Sequence, residues 1–203
     1  MTAVANFRSI AAVGKSLATL LNSRFALVPP VAKATAKLIQ TDDLDNAKAM
    51  LPLPVVSILL YRVDFNKAMR ASWSGVGALD GRAHLPVDLH YLMTAWADNA
   101  ESEHLLLGRT MQIIEEVGAL SGPLLWPDAE WLSGEAVQLY LEDVATDDLM
   151  RTFESLTCDF RLSIPYLARI VVVSTDEGDA VPDVLTHIQG LGPHLAPAGA
   201  AGP

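Results

Sequence analysis

Cysteine occurs once, at Cys158, so the chain forms no internal disulfide and holds no multi-cysteine metal site. Positive charge is scarce. The 14 Lys and Arg stand against 24 Asp and Glu, a net charge of -10, which excludes the dense basic surface that a nucleic-acid backbone rewards. No apolar run reaches the ~18 residues of a membrane-spanning helix. The longest candidate, Ala49 to Tyr61, contains Pro52 and Pro54, and the uncharged stretch from Val184 to Pro203 is rich in Gly and Pro. Arg8 and Lys15 lie near the N-terminus without the compact apolar segment and small-residue cleavage site of a secretory signal. A cytoplasmic protein without nucleic-acid contacts or membrane insertion is expected.

What the chain does have is apolar mass. Of its 203 residues 51% are hydrophobic and 19% charged, with mean hydropathy +0.28, enough for the packed core of one domain. The charge is unevenly spread: Met1 to Thr41 carries Arg8, Lys15, Arg24, Lys33 and Lys37 and no acidic residue, whereas Asp98 to Phe160 has fourteen acidic residues against Arg109 and Arg151. An acidic solvated face explains this simply. Opposite charges on one chain also suit head-to-tail contact between copies, which closes into a ring.

Apolar positions Phe7, Ile10, Leu17 and Leu21 recur at helical steps, with Asn6, Arg8, Lys15, Ser16, Thr19 and Asn22 opposite, and predict an amphipathic helix from Asn6 to about Arg24. Val31 to Ile39 alternates weakly as an edge segment. Val55 to Val63 reads as a central strand covered on both faces, and Leu85 to Met93 as a period-2 strand. Ala100 to Val117 predicts a buried helix stopped by Gly118. Ala136 to Leu141 alternates again, and Thr146 is placed to N-cap a helix with inner residues Leu149, Phe153 and Leu156. The last strand, Leu162 to Ser174, is expected at an edge or a bulge because of Pro165. These elements predict an α+β fold, a mixed and largely antiparallel sheet with about three packed helices in a single domain. Residues 1–175 form that domain and 176–203 a loose Pro/Gly/Ala-rich tail.

Catalytic signatures are weak throughout. Gly14-Lys15-Ser16 imitates the end of a phosphate loop, but Ser9 stands where that loop needs glycine and no strand precedes it. Gly75 and Gly77 lack a following helix, and Ser74, Ser121 and Ser133 sit in no nucleophile elbow. Asp88 and His90 share one strand face, where a carboxylate would orient an imidazole as base; a polar strand face pairing with its neighbour, or a hydrogen-bonded histidine, is the preferred reading. His84, His104, His187 and His194 have no metal-ligand spacing, and Trp73, Trp96, Trp126 and Trp131 suit core or interface pockets. No enzyme, metal or cofactor is expected.

Three passages, Leu59-Leu60-Tyr61-Arg62-Val63, Leu85 to Ala95 (LPVDLHYLMTA) and Leu106-Leu107-Gly108-Arg109-Thr110-Met111-Gln112, resemble the cap, or tail-terminator, proteins of phage-tail-like extracellular contractile injection systems. Asp148 to Phe153 and Arg161 to Tyr166 are similar to the family's C-terminal helix and strand, with Phe153 in place of the usual tryptophan and Pro165 at an unexpectedly rigid position. The resemblance covers Phe7 to Thr175. It implies a non-catalytic subunit that forms a hexameric ring on the baseplate-distal end of the inner tube, ends its polymerisation and holds the last sheath layer. Its partners would be itself, the tube protein and the sheath protein, with Arg8, Lys15, Arg62, Asp88, His90 and Arg109 as candidate interface residues. A baseplate or sheath-associated adaptor of the same machine, or a small enzyme using Asp88 and His90, are the alternatives.

Overall fold

The computed structural model describes residues 6–29, 31, 33–44, 51–69, 84–156 and 159–174. Helices α1, α2 and α3 span Ser9–Phe25, Ala100–Val117 and Thr146–Ser155, and strands β1 to β6 span Thr35–Ile39, Val55–Phe65, His84–Trp96, Ala119–Ser121, Ala136–Leu141 and Ser163–Ser174. The strands join one sheet in the order β1-β2-β3-β6-β5-β4, parallel between β1 and β2 and antiparallel elsewhere. The expected α+β class with a mixed, mostly antiparallel sheet is borne out.

β3 supplies the frame because apolar residues occupy both of its faces. Val87, Leu89, Tyr91, Met93 and Ala95 join Val56 and Ile58 of β2 and Tyr166 and Ala168 of β6 in the larger core, which α1 covers with Val13, Leu17, Leu20 and Leu21 and α2 with Leu106, Ile113 and Ile114. Leu92 and Trp96 point to the other face, where Phe153 of α3 and Leu156, just past its end, pack with Val55 and Leu59. Two helices on one face and one on the other enclose the first half of β2, as its continuous apolar run requires. Its second half emerges into solvent, since β1 pairs only with Val55 to Leu59.

α1 departs from its expected faces. Phe7 precedes the helix and is 70% exposed, while Ser16 turns inward, donates to the Ala12 carbonyl (2.8 Å) and accepts the Trp126 amide N–H (2.7 Å). Gly14 is buried where Leu38 approaches closely; a Cβ there would lie 2.9 Å from Leu38 Cδ2. The phosphate-loop mimic is therefore mid-helix, its glycine used for packing and its serine for a tertiary hydrogen bond. Asn22 bridges to β1 through both the N–H (2.7 Å) and the carbonyl (3.0 Å) of Ala36.

α2 has the expected limits. The Asn99 side chain accepts from Ser102 N (2.9 Å) at its start, and Gly118 at φ 65° ends it with an N–H bond to Ile114 O (2.8 Å). That left-handed backbone is the reason for glycine. Thr146 is the first residue of α3 rather than its cap; Ala145 holds the cap position with no side-chain bond, and Asp147 and Asp148 supply the favourable first-turn charge.

The expectation for Pro165 needs correction, because β6 lies inside the sheet between β3 and β5. Pro165 is tolerated for a local reason: its carbonyl accepts from Glu142 N (3.0 Å), one residue beyond β5, so the N–H it lacks would have formed only the final rung on that side. Pro86 repeats the device on β3, its carbonyl taking the Asn66 N–H (2.8 Å) just past the end of β2.

Tyr91 and Tyr166 stand opposite each other on β3 and β6, and both hydroxyls are buried with no hydrogen-bond partner among the described residues. Burial pushes the ionisation of Tyr91 well above its ordinary range, and burial first and Glu115 second raise Tyr166 to about 12. An unsatisfied hydroxyl adds nothing that phenylalanine would lose, whereas losing the Ser16 hydroxyl strands the Trp126 N–H. Tyr91→Phe is expected to leave stability unchanged or raise it by about 1 kcal/mol, and Ser16→Ala to lower it by about 1–3 kcal/mol, measured by urea unfolding.

Candidate functional site

Where β2 and β3 emerge from beneath α3, alternate residues turn polar and meet on one face. Tyr61 is an extra residue in β2, so that Leu60 pairs with Tyr91 but Arg62 pairs with His90 and Asp64 with Asp88. The bulge moves Arg62 and Asp64 to the side of Asp88 and His90. β6 has a matching irregularity between its Leu89 and Val87 partners, Ala168 and Val171, which is where Arg169 reaches Asp88.

His90 sits at the centre with its side chain 5% exposed. Its Nδ1 lies 2.9 Å from both Glu142 carboxylate oxygens, and its Nε2 lies 3.1 Å from Arg62 Nη2 and 3.3 Å from Asp64 Oδ2. Glu142 only accepts and Arg62 only donates, so a neutral ring with its hydrogen on Nδ1 satisfies both. Arg62 also holds Asp64 at 2.9 Å. Asp64 and Asp88 are like charges directly across the strands, an unfavourable pair unless each is compensated. Arg62 compensates the first; Arg169 at 3.5 Å and the Asn66 side-chain amide at 3.2 and 3.3 Å hold the second. A cavity of about 630 Å³ opens beside them, lined by Phe65, Lys67 and Ala68 as well as the polar groups.

This geometry corrects the reading of Asp88 and His90 as a dyad. The carboxylate orienting the imidazole is Glu142, from the segment after β5, and Asp88 is bound elsewhere. A general base needs a free nitrogen facing substrate, and here Nε2 accepts from Arg62. Among the described residues the cavity lining contains no Ser, Thr or Cys. Among the described residues no three His, Cys, Asp or Glu are placed to hold a metal ion, and no helix is long and apolar enough to cross a membrane. The arrangement can present fixed, nearly balanced charge to another protein surface.

The other candidates lie apart. Lys15 on α1 reaches Asp128 (3.4 Å) and lies 5.3 Å over the Trp126 ring, and Arg8 lies 5.4 Å from the Phe7 ring. Arg109 on α2 bonds Gln112 (2.8 Å) and Glu116 (3.4 Å). Asp64, Glu142, Tyr61, Asn66 and Arg169 escaped the sequence reading. Asp64 was accessible in principle, two residues from Arg62 on a strand; Glu142 has no local signal. Trp73, Ser74, Gly75, Gly77, Cys158, His187, His194 and the tail 176–203 lie outside the described residues.

Comparison with known proteins matches residues 12–186 to the Pvc16 N-terminal domain. The chain belongs to this family. Among solved structures it is similar to the sheath/tube terminator of PVC, an extracellular contractile injection system, in its extended state, with 20% identity and a TM-score of 0.57 over 95% of this chain and 65% of that one. It is also similar to the tube-terminating cap of the anti-feeding prophage, with 17% identity and a TM-score of 0.55 over 83% of this chain and 56% of that one. At these identities the likeness establishes the fold, and the chain spans less than two thirds of either structure's length. A search of curated proteins by sequence finds no match. The resemblance read from the sequence is borne out, and its passages fall on β2, β3, α2, α3 and the start of β6.

Tyr61 ties this cluster to pH. Its hydroxyl donates to Glu142 (3.4 Å), and its pKa is raised to about 12 by burial first and Glu142 second. A pKa above the unfolded value of ~10 means that the contribution to stability is complete below pH ~10 and is lost as pH rises toward 12. Stability to urea is expected to fall across that window, and Glu142→Gln to lower the Tyr61 ionisation, followed by ultraviolet difference absorbance against a Tyr61→Phe reference.

Proposed function

We propose that the chain is the structural cap of a contractile injection system, a tube terminator without catalytic activity. The observation that carries this reading is the match across residues 12–186 to the Pvc16 N-terminal domain. Two proteins of similar fold, described as a sheath/tube terminator and a tube-terminating cap, support it. In this reading six copies form a ring on the baseplate-distal end of the inner tube, stop its growth and hold the last sheath layer, with assembly in the cytoplasm.

Two features of the chain suit such a ring. Segment 1–41, with α1 packed on β1, carries Arg8, Lys15, Arg24, Lys33 and Lys37 and no acidic residue, while α2 carries Glu101, Glu103, Glu115 and Glu116 and α3 Asp147, Asp148 and Glu154. Copies can therefore meet through unlike surfaces, and ring formation should weaken as salt rises. Arg62, Asp64, Asp88, His90 and Arg169 of the charged cluster are held on β2, β3 and β6, which gives an interface a fixed pattern of charge to register against. Arg62, Asp88 and His90 are then contact residues, with Arg8, Lys15 and Arg109 at separate contacts.

Electron microscopy of contractile particles from cells without the chain, and from the same cells with it restored, tests the proposal. Broadly distributed or overlong tubes, or tubes that have lost their sheath, are expected without it. Particles of normal length with blunt, sheathed ends would overturn termination and favour an adaptor elsewhere on the particle.

A further inference from the structure

A second cavity, also about 630 Å³, runs between the end of α1 and the outer side of α2, away from the His90 cluster. Its walls are mainly apolar: Val28, Pro29, Val31, Leu105 and the bare backbone of Gly108, where an added Cβ would meet nothing within 4 Å. Leu105 is 47% exposed, large for an aliphatic side chain in mid-helix. Among the described residues the wall also carries His104, Gln112, Glu101 and one guanidinium, that of Arg109, which lies about 12 Å along α2 from Glu101 at 1.5 Å per residue. The Arg109 side chain is only 14% exposed, and its Nη1 serves both Gln112 and Glu116. Its Nε–H is buried and has no acceptor among the described residues. A guanidinium offers a carboxylate the edge that carries Nε, and that edge is the one left without a bond. The groove thus fits an aliphatic segment bearing a single carboxylate.

The chain contains such a segment. After Arg169 there is no Lys or Arg, and of the four acidic residues beyond Ser174 only Asp183 is bracketed by aliphatics, in Val181-Pro182-Asp183-Val184-Leu185-Thr186-His187-Ile188. The family match continues past the end of β6 at Ser174 to residue 186, so this stretch begins within the shared domain. Reach is adequate. β6 ends beside the start of α1, where Ser9 Oγ donates to the Val172 carbonyl (3.2 Å), and the groove begins at Val28, about 28 Å further along at 1.5 Å per residue. The nine residues from Ser174 to Asp183 span about 30 Å when extended.

We propose that the α1–α2 groove is the docking site of the chain's own segment 181–188, with the aliphatic residues against Leu105 and Val28 and the Asp183 carboxylate on Arg109. The inference concerns the isolated chain and does not depend on the capping role.

Cysteine cross-linking of the full chain in a Cys158→Ser background tests it, with Gly108→Cys in the groove and Leu185→Cys in the segment, and with Lys37→Cys plus Leu185→Cys as the collisional control. Under a mild oxidant the first pair is expected to form an intramolecular disulfide well above the control, read by mass spectrometry. Asp183→Asn, which leaves the described fold untouched, should reduce the cross-linked fraction about fivefold, the factor for a charge pair worth about 1 kcal/mol. Arg109→Glu should do the same, and Arg109→Glu with Asp183→Arg should restore it. A yield no higher than the control, a yield indifferent to Asp183→Asn, or disulfides formed only between copies would overturn the proposal.

Discussion

β3 is hydrogen-bonded on both edges and covered on both faces, so nearly every polar group it carries must find its partner within the protein. The rest of the architecture follows from that constraint. Where β3 carries mainly apolar side chains it is enclosed by helices, and its polar groups there are satisfied: Thr94 contacts Ser163 at 2.6 Å, and the Trp96 indole N–H donates to Ser57 at 2.8 Å. Where it carries Asp88 and His90, the neighbouring strands bulge and bring Arg62, Asp64 and Arg169 to them. Buried charge is costly unless paired, and the cluster meets that requirement by compensating each carboxylate separately.

The same constraint explains what was readable in the sequence. Periodicity gave α2 with its Gly118 stop and β5 with its limits, and it placed Phe153 and Leu156 against the sheet, because one residue's neighbours along the chain decide those features. The strand order was less accessible. β6 looks like an edge strand from Pro165 alone, and only the lengths of its neighbours show why a proline is tolerated inside a sheet. Phe7 and Ser16 were assigned to the wrong sides of α1 because a helical stripe cannot anticipate Trp126, 110 residues away, offering its N–H to a serine.

The polar cluster was half legible for a related reason. Asp88 and His90 alternate on one strand, and the sequence shows that they share a face. Which carboxylate meets the imidazole depends on register and on the bulge at Tyr61, which are properties of two strands together. A chain read one strand at a time leaves a catalytic pair as the alternative to a hydrogen-bonded histidine; the assembled sheet shows the hydrogen-bonded histidine, between two carboxylates and an arginine.

Pro86 and Pro165 have a further consequence as a pair. Each takes the last hydrogen bond a neighbouring strand can give and offers none in return. Sliding β6 by two residues further along β5, or β3 along β2, would keep every side chain on its proper face and so would go unpunished by the hydrophobic pattern. It would carry a proline into the ladder, where an acceptor carbonyl would face a ring carbon instead of an N–H. The two prolines therefore act as end stops on opposite sides of the sheet's middle, and they select one alignment among those that burial alone would accept.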